Sequence, residues 1–128
     1  MSYLLNTNID KITQDINIFK ISFEKKGKIV GIDNGRKTIG LAISDNYKRI
    51  ALTHKTILKT KLLKNLQELE IVIKSNNIIS LVLGLPLNKD GTKGKSAQSA
   101  IAFGRILEKN FQLPILLWDE RFSTIGIK

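Results

Sequence analysis

The chain has 128 residues, enough for one domain with its own core, and its 42% apolar and 25% charged content is ordinary for a globular protein. It has no cysteine, which excludes disulfides and thiolate chemistry, and no apolar run approaches the ~20 residues that span a bilayer. The formal net charge is +10, which favours a polyanionic partner; a lysine-rich composition drawn from an AT-rich genome would give the same excess without a partner.

Residues 1–26 read as an N-terminal extension. Leu5, Ile9, Ile12, Ile16 and Phe19 recur at helical spacing, and Thr7 with Asp10 three residues later forms a capping box. The spacing predicts an amphipathic helix laid on the domain, or alternatively one that meets a partner. The basic start and apolar block of a signal peptide are not seen, so a cytoplasmic setting is expected.

Residues 27–128 read as one α/β domain. Lys28 to Asp33 forms a first strand, and Ile39, Leu41 and Ile43 alternate with small or polar residues in a second. Asn34-Gly35 supplies the turn, which makes the pair an antiparallel hairpin. A third strand is predicted from Ile50 to Ile57. Leu62, Leu66, Leu69 and Ile73 mark an amphipathic helix closed by Asn76-Asn77, and Ile78 to Leu83 has the continuous apolar character of a buried parallel strand. After the glycine-rich loop Gly84–Gly94, a second helix presents Ala97, Ala100, Ile101, Gly104 and Leu107. Pro114 precedes the last strand, Ile115 to Trp118. Three antiparallel strands followed by two helix–strand units predict a mixed sheet.

Two carboxylate sites stand out. Asp33 ends an apolar run and opens a turn, with Gly31, Gly35 and Gly40 leaving room for a phosphate and Arg36 and Lys37 following at once. A buried strand-end acid is costly unless paired, although Asp-Asn-Gly is also a plain hairpin turn. Asp119-Glu120-Arg121 follows the last strand, at the sheet edge where α/β proteins bind ligands; capping of a helix begun at Ser123-Thr124 would account for one of these acids. With no cysteine and one histidine, oxygen ligands and Mg²⁺ or Mn²⁺ are indicated, not zinc. Lys89 and Lys93, in the loop with Gly91 and Gly94, suit a nucleic-acid backbone, but the loop lacks the Gly-Lys-Ser/Thr spacing of an ATP-binding P-loop. His54 reads as a surface or strand-pairing residue and Trp118 as core.

Gly31-Ile32-Asp33-Asn34-Gly35-Arg36-Lys37-Thr38-Ile39-Gly40 resembles the opening motif of the YqgF/RuvX family. Val82-Leu83-Gly84-Leu85-Pro86-Leu87 with Asp90-Gly91-Thr92 resembles its central loop, and Asp119-Glu120-Arg121-Phe122-Ser123-Thr124 its third signature. The resemblance covers Lys28 to Thr124. It implies a ribonuclease H-like fold, in a family whose members are described as candidate Holliday-junction resolvases and as candidate nucleases that mature the 5′ end of pre-16S rRNA. By position it implies Asp33 and Glu120 as catalytic, metal-binding carboxylates, with Asp119 as a further metal ligand. Arg36, Lys37 and Arg121 would face phosphate, and two divalent ions about 3.5–4 Å apart would serve hydrolysis. The family pattern continues into further helices, the last carrying another acid, while Phe122 to Lys128 here contains none. The expected domain is therefore C-terminally incomplete, with Asp45 the one nearby acid left to stand in and a homodimer one way to cover the exposed sheet. Three functions are expected to compete: a metal-dependent nuclease acting on pre-rRNA or a DNA junction, a nucleic-acid-binding protein without turnover, and a fragment of an actin-like ATPase.

Overall fold

The computed structural model describes residues 11–21, 25–47 and 51–120. The elements run β1 (Ile12–Thr13), α1 (Ile16–Phe19), β2 (Lys28–Asn34), β3 (Thr38–Ser44), β4 (Ala51–Leu58), α2 (Leu62–Ser75), β5 (Ile78–Leu85), α3 (Lys95–Phe111) and β6 (Ile115–Asp119). They build one six-stranded sheet in the order β1-β6-β5-β2-β3-β4. β2, β3 and β4 form an antiparallel meander; β5 pairs parallel to β2, β6 to β5 and β1 to β6. This is the ribonuclease H-like mixed sheet read from the sequence, and the described residues contain two long helices, with no further one after β6.

The β4–α2–β5 and β5–α3–β6 crossovers advance in the same direction across the sheet, so right-handed connections put both helices on one face. Asn34, Ile39, Asn65 and Phe103 border a single crevice on that side. The core lies there: Val30, Ile32, Ile39, Leu41, Leu81, Leu83 and Leu85 meet Leu69, Val72, Ala97, Ala100 and Leu107. The small residues Ala97, Ala100 and Gly104 bring α3 close to the strands.

Short loops hold these elements in place. Asn65 accepts a hydrogen bond from the Thr60 N–H (3.2 Å) and donates to the Leu58 carbonyl (3.1 Å), tying the end of β4 to α2. Gly35 donates to the Thr38 carbonyl (2.9 Å), and a Cβ at position 35 would lie 2.9 Å from that oxygen, which is why the β2–β3 turn needs glycine.

The helical spacing through residues 5–19 does not become one helix. Leu5, Thr7, Ile9 and Asp10 lie outside the described residues, but Ile12 is in a strand and Ile16–Phe19 is a single turn capped by Asp15, whose Oδ1 accepts from the Asn17 N–H at 2.8 Å. The outer edge of β6 supplies the reason. Its backbone groups need partners, and the Ile115 N–H donates to the Lys11 carbonyl at 2.9 Å. β-branched Ile12 and Thr13 suit that extended pairing better than a helix.

Candidate functional site

On the face opposite α2 and α3 the strands present small side chains. Register sets Gly31 beside Ala42 and Val82, Asp33 beside Gly40, and Gly84 beside Trp118. Together with Glu120, Lys55 and Thr56 these residues line an open cleft of about 560 Å³. Strand alternation accounts for the division: Ile32, Leu83 and Leu117 point to the helices, and their neighbours point the other way.

Asp33 and Glu120 come together in this cleft. Burial raises the Glu120 carboxyl above its ordinary value, the Asp33 charge beside it adds to the rise, and a side-chain hydrogen bond between the two acts in the same direction. Gly84 makes the approach of Glu120 possible, since a Cβ there would lie 3.0 Å from Glu120 Cδ and 3.2 Å from Cγ. The sequence reading of Asp33 as a buried acid needs correction. Its side chain is exposed at the cleft, and its neighbour is a second acid. Two adjoining hard-oxygen donors suit a divalent cation such as Mg²⁺ or Mn²⁺, which would relieve their repulsion. Among the described residues no group of three or more His, Asp or Glu side chains converges.

The remaining sequence candidates divide. Asp119 pairs in register with Leu85 and, by alternation, belongs to the other face from Trp118; it does not line the cleft. Arg36 and Lys37 stand exposed in the β2–β3 turn, at the same end of β2 as Asp33. Lys89 and Lys93 are exposed on a loop that closes on itself: Asp90 Oδ1 accepts from the Thr92 N–H (2.9 Å) and hydroxyl (2.7 Å), and Asn88 Nδ2 donates to Thr92 Oγ1 (2.9 Å). Arg121 lies outside the described residues, as do Ser123 and Thr124. Asp45 closes the far end of β3 and its Oδ1 accepts from the Tyr47 N–H (2.9 Å), so it does not join the pair. Trp118 is half-buried in the cleft wall and not in the core, because it falls on the sheet face without a long helix. His54 is exposed as read.

A ribonuclease H-like sheet with an acid on its first long strand and another just after its last defines the class to which this molecule belongs. Residues 27–128 match the family described as "RuvX: Holliday junction resolvase", and the chain belongs to that family. It is 44% identical over 111 residues to a Pelagibacter ubique protein named "Putative pre-16S rRNA nuclease", covering 87% of this chain and 74% of that one. A Paracoccus denitrificans protein of the same name is 40% identical over 115 residues, covering 90% and 73%. Among solved structures, Thermus thermophilus RuvC in complex with a Holliday junction substrate superposes with a TM-score of 0.51 at 11% identity, over 77% of this chain and 68% of that one, a likeness of fold. No helix among the described residues is long and apolar enough to cross a membrane.

Proposed function

We propose that this chain binds structured nucleic acid across the open face of its sheet and presents Asp33 and Glu120 to a divalent cation there. The observation that carries the reading is the contact of those two acids in a cleft floored by Gly31, Ala42 and Gly84. Small side chains admit a sugar–phosphate backbone, and the net charge of +10 favours a polyanion. Mg²⁺ is commonly held by one or two carboxylates together with substrate phosphate, so the pair fits one ion better than two. Such an ion supplies Lewis-acid polarisation of a phosphoryl oxygen when bound. The chain's own part is to orient Asp33 and Glu120, and in the metal-free state to store a proton between them. Arg36, Lys37, Lys89, Lys93 and Arg121 are candidates for further phosphate contacts. With two convergent carboxylates among the described residues, binding with little or no turnover is the favoured reading.

The relatives' names support a second reading, a metal-dependent nuclease whose substrate is precursor 16S rRNA or, by the family description, a four-way DNA junction. The testing experiment separates the two. Precursor rRNA and junction substrates are incubated with Mg²⁺ or Mn²⁺ and wild type, Asp33→Asn or Glu120→Gln, with binding followed in parallel. Binding without cleavage supports the first reading. Cleavage lost in both variants supports the second. A folded wild type that binds neither substrate overturns both.

A further inference from the structure

We propose that the crevice between α2 and α3 takes one unpaired nucleotide of the bound strand, whose base presents an N–H donor to Asn34; this rests on the nucleic-acid reading above and gives it a base contact. The crevice has a volume of about 300 Å³, at the lower end of the range for small-molecule sites. Ile39, Leu62, Ala102 and Phe103 give it apolar walls. Among the described residues Lys59 is the one cation in its lining, and no carboxylate borders it. Apolar walls suit a planar base, and the ammonium suits the phosphate attached to it.

One polar atom of this lining is unmet. Asn34 Oδ1 is buried and accepts no hydrogen bond among the described residues. Asn34 pairs with Ile39 across β2 and β3 and follows Val30 and Ile32 in alternation, so its carboxamide lies on the helix side and lines the crevice. A buried acceptor without a donor is uncommon, and here it points to a donor carried by a ligand. The residue as a whole is half-buried, so a small turn of the carboxamide presents its oxygen to an occupant. The second amide of the lining is not in that state: Asn65 already accepts from the Thr60 N–H and donates to the Leu58 carbonyl. Crevice and cleft share one end of β2, since Asp33 and Asn34 are consecutive and line opposite faces of the sheet. The exposed turn at Arg36 and Lys37 lies between them, and the Lys59 N–H donates to the Lys37 carbonyl at 2.9 Å. A strand held at the cleft by its phosphates need only pass over that turn to seat one nucleotide in the crevice.

The test measures Kd, in Ca²⁺, for a fluorescently labelled hairpin RNA with a single-stranded 5′ extension of three kinds. The extension is built of adenosine, of purine riboside, whose base carries no N–H donor, or of abasic residues. Wild type is compared with Asn34→Ala and with Ala102→Phe, which fills the crevice from an exposed position of α3. Wild type is expected to bind the adenosine RNA about three- to tenfold more tightly than the purine riboside RNA, the worth of one neutral hydrogen bond, and the abasic RNA more weakly still. Asn34→Ala is expected to bind the adenosine and purine riboside RNAs alike and to keep its preference for both over the abasic one. Ala102→Phe is expected to bind all three alike. Equal affinities in wild type, or a preference for adenosine over purine riboside that survives in either variant, overturn the crevice assignment while leaving nucleic-acid binding intact. A wild type that binds none of the three overturns both.

Discussion

At the residue scale the chemistry turns on one contact between two acids. The folded, metal-free chain holds a proton on Glu120 at pH values where the unfolded chain has lost it. The stability this contributes is fully present below the ordinary carboxylate range and is lost as pH rises through the raised Glu120 value. In EDTA, the urea midpoint of wild type is therefore expected to fall with rising pH across that window, and that of Glu120→Gln to fall less. Equal slopes would show that Glu120 is not the group responsible. Gly84 offers a second handle, because Ala there would push Glu120 away from Asp33. Gly84→Ala is expected to weaken divalent-ion binding by about tenfold or more, as disturbance of a ligand's support typically does, with the fold retained by circular dichroism.

At the element scale one buried side chain joins α2 to the end of β4. Asn65 is 4% exposed and satisfies both the Thr60 N–H and the Leu58 carbonyl. Asn65→Ala leaves both groups without that partner and is expected to destabilise by about 1–3 kcal/mol in urea unfolding. Asn65→Asp keeps the acceptor for Thr60 but loses the donor to Leu58, so an intermediate loss is expected. The sequence marked the α2 stripe through Leu66 and Leu69, yet position 65 was unreadable. A polar residue on a helix is ordinarily assigned to solvent, and only the returning end of β4 gives this one a buried task. The N-terminal segment failed for a related reason: apolar residues at helical spacing do not reveal that an unpaired strand edge stands nearby.

At the scale of the whole molecule, one sheet face is filled by α2 and α3 while the other carries the cleft. The chain's single tryptophan, Trp118, lines that cleft with Glu120, so its emission reports on the site directly. Mn²⁺ is expected to quench Trp118 in wild type at concentrations that leave Glu120→Gln unquenched; equal quenching would place the ion elsewhere. A homodimer formed across the open face would occupy the surface proposed for nucleic acid. Self-association by this route is therefore expected to decline as nucleic acid is added, which sedimentation at several protein concentrations would detect.

From β2 onward the order of strands and helices and the mixed sheet were legible in the chain itself, and short motifs marked the acids at positions 33 and 120 as candidates. Local periodicity, turn glycines and short motifs encode them within a few residues of one another. Only the tertiary structure decided that Asp33 and Glu120 touch while Asp119 faces away, and that Trp118 lies in a cleft wall. Those facts depend on which strands become neighbours and on their register. A shift of one residue moves a side chain to the opposite face of a sheet, and pairing across the whole chain, not any single segment, sets that choice.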